Sequence, residues 1–110
     1  MATVLQNVLL SGIGTTEQLA LTTASNTRST IIGLSLTNMS GTIVFASIRL
    51  VNNSTSATAY YLKDVVVPPN QSLRVINGGE KLVLAPSMSV YVKSNTASSL
   101  DLVMSYVDVI

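Results

Sequence analysis

The chain has 110 residues, of which 10% are charged and 47% hydrophobic; six Lys and Arg face five Asp and Glu, and there is no His, Cys or Trp. That length makes one domain, residues 1–110, large enough to bury a single core without covalent staples. The composition excludes disulfides, thiolate metal sites and His- or Cys-dependent catalysis, and a net charge of +1 on singly scattered basic residues argues against nucleic acid.

The first twelve residues, MATVLQNVLLSG, lack the basic start of a secretory signal, and their apolar run is too short to span a membrane. They read as the start of a soluble protein made inside the cell, with no membrane partner. Period-2 alternation runs through the rest, without helical periodicity. Thr3 to Leu10 is a first strand, broken by Ser11-Gly12-Ile13-Gly14. Glu17 to Thr22 is a second, with Leu19 and Leu21 on one face. After the polar turn Asn26-Thr27-Arg28, Ser29 to Asn38 alternates Ile32, Leu34 and Leu36 with Gly33, Ser35 and Thr37. Ser40-Gly41 turns the chain into Thr42 to Val51, which is apolar on both faces. Val44, Ala46, Ile48 and Leu50 oppose Ile43, Phe45 and Val51, the pattern of a strand buried on both sides or backed by an interface.

Asn52 to Ala59 is a small, polar loop. Five more strands follow: Tyr60 to Val67, Ser72 to Ile76, Glu80 to Leu84, Ser87 to Lys93 and Leu100 to Val109. Two stretches share a template. VVVPPNQSLRV (Val65 to Val75) and LVLAPSMSVYV (Leu82 to Val92) each carry an apolar triplet, a proline corner at Pro69 or Pro86, a serine and an alternating run. Asn77-Gly78-Gly79 between them is a hairpin signal, so the C-terminal half reads as a β-meander with both proline corners at one end. In the last strand, Leu100, Leu102, Met104 and Tyr106 form the core face and Asp101 the opposite one. Nine short strands with regular turn signals predict an all-β, antiparallel β-sandwich, jelly-roll-like or Ig-like.

Catalysis finds no footing. The carboxylates Glu17, Asp64, Glu80, Asp101 and Asp108 are dispersed, and Asp101 and Asp108 fall on opposite faces of one strand. Gly12-Ile13-Gly14 precedes no helix and reads as a loop or bulge. No catalytic residue, metal ligand or cofactor is predicted. With so few charges the surface is Ser, Thr and Asn, and near-zero net charge favours association. Tyr and Arg are favoured interface anchors. The candidate interface residues are Phe45, Arg49, Tyr60, Tyr61, Arg74 and Tyr91, with Arg74 and Tyr91 at equivalent places in the two copies of the template and both directed outward.

Residues 60–106 resemble small virion proteins of tailed bacteriophages, most of all capsid decoration (cement) proteins. The resemblance rests on Pro68-Pro69-Asn70-Gln71-Ser72-Leu73 leading into a strand, on Gly79-Glu80-Lys81-Leu82-Val83-Leu84, and on Leu100-Asp101-Leu102-Val103-Met104-Ser105-Tyr106. It implies a non-enzymatic protein made in the host cytoplasm and carried on the virion. Its partners would be copies of itself, as a homotrimer or a dimer, and the major capsid protein of a phage. A tail, baseplate or fibre β-module is the alternative on the same resemblance.

Overall fold

The computed structural model describes residues 2–77 and 79–110. Among them are nine strands and no helix: β1 (Thr3–Ile13), β2 (Gln18–Thr22), β3 (Arg28–Asn38), β4 (Val44–Asn52), β5 (Ala57–Val67), β6 (Ser72–Ile76), β7 (Leu82–Leu84), β8 (Met88–Ser94) and β9 (Leu100–Val109). They form two antiparallel sheets packed as a sandwich. The first has the order β1-β9-β3-β6, with β7 also on β3; the second has the order β2-β8-β4-β5.

β6 pairs with Leu34 to Thr37 of β3, and β7 pairs with Ser29 to Ile31 of the same strand. The two are successive pieces of one interrupted edge strand. Counted so, each sheet has four passes, and nearly every connection crosses from one sheet to the other. The exceptions are the β4–β5 hairpin and the β6–β7 interruption. This is the strand order of a jelly roll. In an Ig sandwich the first two strands lie in one sheet, whereas here β1 and β2 lie in different ones.

The meander is therefore corrected. β6 and β7 do not pair with each other, and the Asn77-Gly78-Gly79 hairpin falls on Gly78, which lies outside the described residues. The template repeated in the sequence is a sheet-crossing corner. Asn70 and Ser87, equivalent in the two copies, both follow a proline and both have positive φ, 55° and 61°.

 Proline presets φ at the first central position of such a turn, and a left-handed residue at the second completes it. The first corner lies beside Asn38, whose N–H donates to the Gln71 carbonyl at 2.9 Å; the second lies beside Thr23, whose hydroxyl donates to the Ala85 carbonyl at 2.7 Å. Asn38 and Thr23 stand at opposite ends of the sandwich, so the corners do not share an end as the meander required.

The core fills the space between the sheets. Ile31, Leu36, Leu84, Leu100, Leu102 and Met104 of the first sheet meet Val44, Ile48, Val67, Val90 and Val92 of the second. β9 has the predicted phase: Leu100, Leu102 and Met104 are buried while Val103 and Ser105 are exposed. Bulges shift the phase elsewhere, because an extra residue turns the following side chains to the other face. A register shift between Leu19 and Leu21 leaves Leu19 exposed and buries Ala20 and Leu21. Another between Ile31 and Gly33 buries Ile31 in place of Ile32. β1 runs past its predicted end through a bulge between Leu10 and Ile13, with Gly12 at a φ of 64°, and Ile13 is fully buried.

Asn38 is buried at the end of β3 and ties three segments together. Its Nδ2 donates to the carbonyls of Thr42 (2.8 Å) and Val67 (3.0 Å), and its Oδ1 accepts from the N–H and hydroxyl of Ser40, both at 2.8 Å. Every buried side-chain nitrogen and oxygen among the described residues has a partner, as a specific core requires.

Candidate functional site

The outer face of the second sheet carries a row of side chains that the strand register places side by side. Leu19 of β2 pairs with Tyr91 of β8, Tyr91 with Arg49 of β4, and Arg49 with Tyr60 of β5. The Arg49 guanidinium holds the carboxylate of Glu17, just before β2, with Nε to Oε2 and Nη2 to Oε1 both at 2.8 Å. Its Nη1 donates to the Thr58 hydroxyl at 3.2 Å, and its Cζ lies 4.7 Å from the centre of the Tyr91 ring. Lys63 Nζ stands 4.4 Å from the centre of the Tyr60 ring. The hydrogen bonds from Arg49 hold the Glu17 carboxyl below its ordinary value against the opposing effect of burial, and the nearby positive charges of Arg49 and Lys93 add to them. The two-pronged fork fixes geometry as well as energy, and each cation over a ring adds about 0.5–1 kcal/mol at an exposed site. The result is a firm, amphipathic surface with its central charge neutralised.

Phe45 lies further along β4 on the same face, opposite the exposed Val66 of β5 and close to the exposed Ile43. Its backbone is anchored to the β8–β9 loop: its N–H donates to Asn95 Oδ1 at 2.9 Å, and its carbonyl accepts the Asn95 N–H at 3.1 Å. The side chains of Phe45, Arg49, Tyr60 and Tyr91 thus belong to one face.

The other two candidates do not join them. Tyr61 sits beside a bulge of β5 and packs against the core, where burial, and to a lesser degree Glu80, raises the pKa of its hydroxyl. Arg74 projects from the outer face of the first sheet, opposite Ser35 of β3. The expectation that Arg74 and Tyr91 look outward together is corrected: both look outward, but from opposite sheets. The physical reason is that the two template copies cross the sandwich in opposite directions.

Sequence reasoning missed two features. One is Glu17, whose pairing with Arg49 joins positions 32 residues apart; no local pattern signals it. The other is the outer face of the first sheet, where Leu5, Leu9, Val83 and Val103 are exposed. The double alternation of β1, apolar on both faces, was its only signal.

Four carboxylates have structural partners: Glu17 on Arg49, Asp64 with the Ser47 hydroxyl, Asp101 with the Gly12 N–H and Asp108 with the Ser29 hydroxyl. Among the described residues no three His, Cys, Asp or Glu side chains come together as a metal site would need.

No protein-family model matches this chain, and no curated protein matches it significantly. Solved structures do share its fold. A chain of the Bacillus endospore appendages, described as a novel family of disulfide-linked pili, superposes with a TM-score of 0.55 at 12% identity, covering 96% of this chain and 86% of that one. A chain of the T13 IBDV viral particle superposes with a TM-score of 0.53 at 8% identity, covering 96% of this chain and 35% of that one. This chain therefore spans about a third of the IBDV chain. At these identities the likeness is one of fold: the chain is a jelly roll similar to a pilus subunit and to part of a viral particle.

Proposed function

We propose that this chain is a non-enzymatic structural subunit of a virion, which self-associates and attaches to the outer capsid lattice of a tailed phage as a decoration protein. The observation that carries this reading is the character of the two outer sheet faces. Both present large apolar or aromatic side chains, Leu5, Leu9, Val83 and Val103 on one and Leu19, Phe45, Tyr60 and Val66 on the other, in a chain with only 10% charged residues. Contiguous exposed apolar surface marks sites of protein association. The fold likeness to a pilus chain and a viral-particle chain supports a role in assembly. Since these 110 residues contain no cysteine, the contacts are non-covalent, unlike the disulfide links of the Bacillus pili. Many copies on a lattice then add weak contacts into firm attachment.

The test is co-sedimentation with purified capsids of the phage that encodes the chain, from low to about molar salt, where the Debye length falls to about 3 Å. Retention throughout supports attachment through apolar and neutral polar contacts rather than ion pairs. Release at moderate salt refutes that kind of interface, and absence of binding at low salt refutes the decoration role.

A further inference from the structure

The outer N–H and C=O groups of an edge strand are a template for another strand unless something blocks them. Three of the four edges here are blocked. β5 is bulged around Lys63 and Asp64, with Asp64 at a φ of 50°. The β6–β7 edge is interrupted between Ile76 and Leu82. β2 has five residues and a register shift at its middle. β1 is different. From Thr3↔Val109 to Leu10↔Leu102 it keeps eight residues in unbroken register with β9, and TVLQNVLL holds no charge and no proline.

We infer that β1 pairs antiparallel with β1 of a second copy, joining the two first sheets across a two-fold axis. The occupant follows from the edges themselves: in a second copy, β1 is the regular edge that can match eight residues without a break. The strand is also self-complementary. Residues directly opposite in an antiparallel pair point to the same side. With Asn7 on the axis, Leu5 faces Leu9 of the other copy on the outer side, Val4 faces Leu10 on the inner side, and no like charges meet. Leu5 is 76% and Leu9 68% exposed in the single chain, so both have surface to bury. A shift of two residues would set Leu5 against Asn7 and lose this match. Eight strand residues span about 27 Å, and the side of a two-sheet sandwich is about 20 Å across. The seam then buries about 1,000 Å² over both copies, at the lower limit for a stable interface. The dimer is accordingly concentration-dependent.

This inference rests on the self-association part of the proposed function. The test is light scattering after size exclusion at high micromolar concentration, on the wild type and two double variants. The wild type should show twice the mass of one chain. Leu5→Lys with Leu9→Lys sets lysine against lysine twice and should halve that mass, with the far-ultraviolet circular dichroism unchanged. Leu5→Lys with Leu9→Glu sets lysine against glutamate twice and should restore the dimer. If the lysine pair leaves the wild-type oligomer intact, or the wild type is a trimer, the β1 seam is overturned while self-association stands. A single-chain mass for Leu5→Lys with Leu9→Glu overturns the Asn7-centred register. A monomeric wild type overturns both the seam and self-association, and capsid co-sedimentation then reads the decoration role separately.

Discussion

Truncating Leu102 gives a sharp test of the sandwich core. Leu102 is 1% exposed on β9, between Leu10 of β1 and Leu36 of β3 in register, and it faces the second sheet. β9 is hydrogen-bonded on both sides, so its backbone is poorly placed to collapse into a void. Leu102→Ala should therefore cost about 3–5 kcal/mol, the upper part of the range for buried leucine truncations, where residual cavity adds to lost transfer energy. That is a large share of the 5–15 kcal/mol typical of a domain. Val103→Ala removes methyl groups from the next residue, which faces solvent, and should cost about 0.5 kcal/mol or less. Asp101→Ala falls between: its carboxylate accepts the Gly12 N–H at 3.1 Å beside the β1 bulge, a contact worth about 0.5–1.5 kcal/mol. The assay is urea unfolding followed by circular dichroism. With a slope of about 1.5 kcal/mol per molar, the Leu102 variant should lose roughly 2–3 M in midpoint and the Val103 variant well under 0.5 M. If the Val103 or Asp101 change costs as much as the Leu102 change, the assigned face of β9, and with it the core, is wrong.

Asn38→Ala should cost about 2–3 kcal/mol in the same assay, because it leaves the Val67 carbonyl and the Ser40 N–H without their partner at the end of the sandwich; a cost near zero would show that this end does not depend on the side chain. Glu17→Gln should cost about 0.5–1 kcal/mol at neutral pH, as expected for a partly exposed ion pair. Glu17 has a lowered folded-state value, so its contribution is complete above the ordinary glutamate value of 4.5 and is lost as pH falls through the lowered one. The gap between wild type and variant should therefore close in acid, and a gap that widened there would contradict the Arg49 pairing.

Much of this fold is legible in the sequence, because period-2 alternation and turn residues are local signals. Each of the nine strands among the described residues has its counterpart in the alternation, although β1 runs on to Ile13 and β5 begins at Ala57, inside the stretch read as a loop, and the inward phase of β9 follows from Leu100, Leu102 and Met104. Partners are harder to read than strands. A proline corner can close a hairpin or carry the chain to another sheet, and Pro69 and Pro86 do the latter. Bulges at Leu19–Leu21 and Ile31–Gly33 move side chains between faces without a composition change that marks them. The site shows the same limit. Tyr and Arg could be named as anchors, but grouping Arg49 with Tyr91 needs the β4–β8 register, which joins residues 42 apart. Once the register is known, Arg74 parts from them and Glu17 joins.

The proposed function holds that the two outer sheet faces, rich in exposed apolar side chains and sparse in charge, make the chain a subunit of a larger shell. If the proposal holds, cryo-electron microscopy of the virions of the phage in question tests this most directly. The expected result is jelly-roll density in many symmetric copies on the outside of the capsid lattice, with one or both outer sheet faces in contact with neighbouring subunits. Virions that hold the protein in the tail, or that lack it altogether, would contradict the claim.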